Sequence, residues 1–100
     1  MYVIRLAVDV WSVKKFRERN PDYVEGKPMV YVGMTGLTPQ ERFNQHLAGI
    51  RSSKFVRTYG IRLMPRVYER FNSMPYDIAK DTEEELALWL QRKGYAVWWN

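Results

Sequence analysis

The chain has 100 residues, a net charge of +5 from 16 Lys plus Arg against 11 Asp plus Glu, and no cysteine. That length suits a single domain over 1–100 with a core large enough to fold without staples. The missing cysteine excludes disulfide frameworks, Cys-type zinc sites and cysteine nucleophiles, and fits a reducing cytoplasm.

No run approaches the ~20 apolar residues of a membrane span. The apolar start YVIRLAVDV lacks the basic n-region and cleavage site of a signal peptide, so a cytoplasmic protein without membrane contact is expected. Basic residues cluster: Lys14, Lys15, Arg17 and Arg19 in one segment, and Arg51, Lys54, Arg57, Arg62 and Arg66 in another. Such clusters create a field that attracts polyanions, although a basic surface also serves solubility.

Taken in order, Tyr2–Val10 is rich in Tyr, Val and Ile and alternates as a strand, with Tyr2, Ile4 and Leu6 on one face. Residues 11–28 form a long basic insertion in which SVKKFRERN makes at most a short helix stopped at Asn20-Pro21. A connection this long is expected to be functional or mobile, and its charge favours a face turned to nucleic acid.

Met29–Met34 reads as a second strand, with Gly33 marking a close backbone approach or a sharp exit. A turn at Thr35-Gly36-Leu37 leads into Thr38-Pro39-Gln40-Glu41, a capping box with proline at the first helical position. The helix it starts runs through Leu47 to a stop near Gly49, and should bury Phe43, Leu47 and Ile50.

Arg51–Gly60 reads as a basic connector, and Ile61–Glu69 as a third strand that Pro65 marks as an edge or a bulge. After a loop NSMPYD, a long helix over 77–93 carries acidic residues early, Arg92 and Lys93 late, and Gly94 as its stop, an order that suits the helix dipole. YAVWW closes the chain as a short strand or docked tail. The element order predicts an α/β (α+β) domain, a small sheet flanked by helices.

Arg42 and His46, at i and i+4, share one helical face about 6 Å apart along the axis. Taken alone, the pair fits a surface histidine beside a snorkelling arginine. It also fits a phosphate clamp, with the arginine fork on a phosphodiester and the imidazole orienting water or a leaving group. Trp11, Phe16, Tyr23, Phe55 and Tyr59 suit core packing better than base stacking. Trp89, Trp98 and Trp99 belong to a core or an interface.

Tyr31-Val32-Gly33, Thr35-Gly36, Arg42, His46, the late acidic helix and a tyrosine on the first strand together resemble the GIY-YIG endonuclease superfamily. Met1-Tyr2-Val3 stands where the first triplet would be and keeps only its tyrosine. The connection from Tyr2 to Tyr31 is about twenty residues longer than that family's usual one.

The resemblance implies a three-stranded antiparallel sheet and phosphodiester hydrolysis, expected in DNA, with one divalent ion, Mg²⁺ or Mn²⁺. It implies Tyr2 and Tyr31 as paired tyrosines, Arg42 as the phosphate contact, His46 as its helix partner and Glu83 as the metal ligand. Glu83 shares a helical face with Ala79, Leu86, Ala87 and Leu90; Glu85 is the alternative, and a solvated acidic first turn accounts for any one of these glutamates. Lys14, Lys15, Arg17, Arg51, Lys54 and Arg57 are the expected nucleic-acid contacts. Two other readings stay open: a non-catalytic nucleic-acid-binding module of the same fold, and an interaction domain whose WW tail packs on a partner.

Overall fold

Tyr2–Leu6 forms strand β1, Met29–Gly33 β2, Gly60–Leu63 β3 and Ala96–Trp98 β4, in one sheet of order β3-β1-β2-β4. The computed structural model describes residues 1–35, 37–50, 53–69 and 76–99, with side chains of 76–81 excluded. β1 pairs antiparallel with both β2 and β3, and β4 joins β2 in parallel. The expected three-stranded antiparallel sheet is therefore corrected to a mixed, four-stranded one. The YAVWW tail is its fourth strand, brought back parallel by a helical crossover.

The helices are α1 (Lys14–Arg19, after a 3₁₀ turn Val8–Ser12), α2 (Pro39–Leu47), α3 (Lys54–Tyr59), α4 (Pro65–Tyr68) and α5 (Tyr76–Arg92). Two differ from expectation for clear reasons. RSSKFVRTYG reads as a connector because its β-branched and aromatic residues are mediocre helix formers, yet burial of Phe55 and Val56 makes α3. Pro65 does not kink a long strand; β3 ends at Leu63 and the proline opens α4 at a position where its missing N–H costs nothing. β3 is nonetheless the edge strand expected, with a register shift between Arg5 and Leu6. Residues 72–75 of the expected loop, and Gly36 of the expected turn, lie outside the described residues.

Both faces of the sheet are covered, which is why β1 and β2 bury nearly every residue instead of alternating with solvent. Register places Tyr2, Ile4 and Leu6 with Gly33, Tyr31 and Met29 on one face. Helices α1 and α3 cover the Trp98 end of that face, their Phe16 and Phe55 rings 5.7 Å apart and Phe55 4.6 Å from Trp98. Val3, Val30, Val32 and Val97 are left for the opposite face. There α5 packs on β2 and β4 with Leu86, Ala87 and Leu90 buried.

The 11–28 insertion is folded rather than a free basic loop. Val10 and Phe16 enter the core, and Asn20, at the C-cap of α1, is buried. Its Oδ1 accepts from Val97 N–H at 2.7 Å and its Nδ2 donates to Val97 O at 3.0 Å, so one amide occupies the open edge of β4 as a neighbouring strand would. Gln91 completes the set by donating to Asn20 Oδ1 at 2.9 Å. The Arg19 guanidinium stacks 3.8 Å from the Trp99 ring and 4.5 Å from Trp98. The WW tail is thus packed within its own chain.

Candidate active site

The site is seated by a glycine. Tyr2 on β1 lies directly opposite Gly33 on β2, and a Cβ at Gly33 would overlap the Tyr2 phenol. Only at a residue without a side chain can that ring lie across the neighbouring strand, so Gly33 is the close approach expected from the sequence. Two residues earlier on the same face stands Tyr31, with its ring centroid 6.1 Å from that of Tyr2.

Helix α2 supplies the next two groups. The Thr38 hydroxyl accepts from Glu41 N–H at 3.2 Å and Pro39 begins the first turn, as the capping pattern predicts. That start sets the rotation of the helix. Phe43 and His46 turn inward, whereas Leu47 and Ile50, expected in the stripe, are 51% and 54% exposed. An imidazole has taken the place the apolar pattern gave to leucine, because the sheet offers it partners.

Those partners use both ring nitrogens. Tyr2 Oη lies 2.7 Å from His46 Nε2, and Ser53 N–H donates to Nδ1 at 3.1 Å. The ring centroid is 5.8 Å from that of Tyr2 and 5.7 Å from that of Tyr31. His46 is completely buried, so it is neither a surface histidine nor a group that reaches a substrate. Burial first, and the Arg42 charge second, lower its pKa to about 4, leaving the ring neutral at physiological pH.

Arg42, one turn earlier and partly exposed, donates from Nη1 to Gln45 Oε1 and to Ile50 O, both at 3.1 Å, and also hydrogen-bonds Tyr2. Beside it opens a groove of ≈ 540 Å³ lined by Thr35, Leu37, Arg42, Gln45 and Ile50. Burial, then Tyr31, raise the pKa of Tyr2, and Arg42 offsets this only in part. The Tyr31 pKa is raised by burial and then by Glu83, against hydrogen bonds from Tyr2 and Ser53 and the charge of Arg42.

Glu83 comes from α5 and is half-buried, with its carboxylate close enough to act on the Tyr31 hydroxyl. Glu84 and Glu85 are exposed, and Glu84 acts on Arg19 instead. Of the three glutamates, Glu83 is the one brought to the tyrosines. Among the described residues no three His, Cys, Asp or Glu side chains gather as a ready metal cage. Glu83 is a single carboxylate, and a hard cation held by one carboxylate would keep most of its waters and borrow ligands from a phosphate.

The expected nucleic-acid contacts Lys14, Lys15, Arg17, Lys54 and Arg57 are all exposed; Arg51 lies outside the described residues. The Lys15 ammonium sits 5.3 Å from the Phe55 ring centroid, which joins the basic residues of α1 and α3 into one surface. Arg57 packs beside Gly49, next to the Ile50 carbonyl that Arg42 holds, so this surface continues to the groove. A larger cleft of ≈ 760 Å³ lies away from the site, between Pro21, Val24, Leu88 and Tyr95. The amides of Asn20 and Gln91 that border it already bond to each other and to the backbone.

Sequence reasoning missed Ser53, Gln45 and the groove. A backbone N–H that meets a ring seven residues away leaves no mark in residue types, and Ser53 acts through that N–H. No protein-family model, no curated protein and no solved structure matches this chain.

Proposed function

We propose that this chain is a metal-dependent endonuclease of GIY-YIG type that hydrolyses phosphodiester bonds in DNA. The observation that carries this reading is the meeting of Tyr2, Tyr31, Arg42 and His46, from three separate elements, at one end of the sheet, with the Glu83 charge on α5 acting on Tyr31. A packing role alone does not call for a guanidinium at the edge of an open groove with two phenols behind it and a carboxylate acting on one of them.

Phosphodiester cleavage needs charge neutralised on the phosphoryl oxygens and a proton supplied to the leaving oxygen. Arg42, at the edge of the groove, would pair with the phosphate, and the basic surface from Arg57 to Lys15 would track the backbone. Glu83 would hold Mg²⁺ or Mn²⁺, which when bound supplies Lewis-acid charge neutralisation.

The test is plasmid nicking with Mg²⁺. Wild type is expected to nick, and Arg42→Ala and Glu83→Gln to be slower by on the order of 10²–10³-fold. A pure wild type that nicks nothing, or variants that cut as well as it does, would sink the assignment.

A second reading is a non-catalytic nucleic-acid-binding module of the same fold. It is favoured by the burial of both phenols, Tyr2 1% and Tyr31 3% exposed. Metal-independent binding with a steep salt dependence and no cleavage would select it.

A further inference from the structure

Helix α5 turns Leu86, Ala87 and Leu90 into the core, yet its opposite side also carries apolar groups: Leu88 is 39% exposed and Trp89 40%. A leucine beside an indole on an outward helix face marks a contact surface, tryptophan being the residue that anchors interfaces most often. At about 100° per residue, Glu85, Leu88, Trp89 and Arg92 fall in one stripe, and all four are exposed. Glu84 and Lys93, exposed as well, border the stripe on its two sides. Val24 extends the apolar surface beyond Leu88, across the cleft of ≈ 760 Å³ that both line.

The order of these residues points to the occupant. Two acidic residues, Glu84 and Glu85, precede the apolar pair, and two basic ones, Arg92 and Lys93, follow it. Read backwards, the stripe exchanges acid for base: position 85 falls on 92, 84 on 93 and 88 on 89. A second α5 laid antiparallel, about a two-fold axis between Leu88 and Trp89, sets each Glu85 against Arg92 of the other copy and each Glu84 against Lys93. A parallel pair would oppose like charges, and a polyanion would meet the two glutamates, so the pattern selects against both. The same rotation brings each Trp89 to the side of the other helix on which Leu88 stands, where the cleft opens with Val24 and Tyr95 in its wall. Lys93 Nζ lies 5.3 Å from the Trp89 ring centroid, which restrains the indole before any contact is made. Neither Glu85 nor Arg92 has an ion-pair partner among the described residues.

We infer that the chain forms a two-fold homodimer through the outer face of α5, with Leu88 and Trp89 at the centre and a Glu85–Arg92 pair on each side of it. This does not rest on the endonuclease reading, because the face is turned away from the side of α5 that carries Glu83, Leu86 and Leu90 toward the sheet.

Sedimentation equilibrium over a concentration series is expected to show a monomer–dimer equilibrium for the wild type. Leu88→Ser and Trp89→Ala should each weaken it by on the order of 10- to 100-fold, as loss of a central anchor does. Glu85→Arg alone, and Arg92→Glu alone, place like charges at both pairs and should weaken it about tenfold. Mixed in equal amounts, these two charge variants should associate as tightly as the wild type, because every Glu85–Arg92 position in the mixed dimer again joins opposite charges. All four positions are exposed, so the variants should keep the wild-type circular dichroism, and the mixture tests both at once. A wild type that stays monomeric through the series overturns the inference. So does a dimer that Leu88→Ser and Trp89→Ala leave unchanged, or a mixture that associates no better than its components, whatever a nicking assay shows.

Discussion

Two buried polar networks flank the same sheet and are built from different chemistry. At the β4 edge the partners are amides: Asn20 and Gln91 bond to each other and to backbone groups of Phe16, Arg19 and Val97. At the β1–β2 end they are an imidazole, two phenols and a guanidinium, with a carboxylate nearby. Side-chain amides do not change charge near neutral pH, so the first network offers hydrogen bonds that hold the fold together but no group for acid–base work. Every member of the second can change charge or stabilise one; each network borders a groove, but only the second brings a guanidinium, the fork that fits a phosphate, to the edge of its own. Burying titratable groups costs more than burying amides, and a chain that only needed an edge closed already has a cheaper way to do it.

Removing the amide network should give the largest effect on stability. Asn20→Ala strands Val97 N–H and C=O together with the Gln91 side chain, at a cost of about 3–5 kcal/mol in urea unfolding. Any nicking activity measured where the variant is still folded should be unchanged. If activity falls in parallel with wild-type-like stability, the separation of the two networks is wrong.

The second network should show itself through pH. His46 has a folded pKa of about 4 against an ordinary 6.5, so the unfolded chain takes up the proton first as pH falls. Stability is therefore complete above pH 6.5, declines between about 6.5 and 4, and levels off below; the shift corresponds to about 3 kcal/mol. Carboxylates titrate in the lower part of that range, so the measurement is the difference between wild type and His46→Gln, unfolded in urea at pH 7.5 and pH 4.5. A difference that does not change with pH would mean that His46 is charged or exposed in the folded protein.

The legibility of the two regions in the sequence differs for the same physical reasons that separate them. Local rules found the capping box at Thr38, the stop at Gly94, the close approach at Gly33 and the buried side of α5 that carries Glu83. They failed where tertiary contact overrides propensity: α3, the exposed Leu47, and the parallel docking of β4. His46 marks the limit. Its shared face with Arg42 was readable from their spacing, but the stripe was expected to bury Leu47 instead, and the burial of His46 depends on Tyr2, Tyr31 and Ser53, which only the fold brings together. Asn20 read as a helix stop and is that, but its second task of closing a strand edge involves a residue 77 positions away.

Glycine substitution offers the finest test of the contrast, because each region has one glycine fixed by what its Cβ would meet. Gly94 ends α5 with φ +93°, and a Cβ there would stand 2.8 Å from Val24. Gly94→Ala must therefore bear a left-handed backbone and a crowded valine, at about 1–2 kcal/mol, with nicking and the His46 ring spectrum unaltered. At Gly33 a Cβ meets the Tyr2 phenol instead, and that ring cannot swing aside because His46 and Tyr31 flank it. Gly33→Ala should cost about 1–3 kcal/mol as an overpacked core does. In addition it should move the His46 Nε2 NMR resonance, since Ser53 N–H occupies Nδ1 and leaves Nε2 against the Tyr2 oxygen at 2.7 Å. An unmoved resonance in Gly33→Ala would mean that the phenol is not held against β2, and the seat assigned to the first tyrosine would have to be given up.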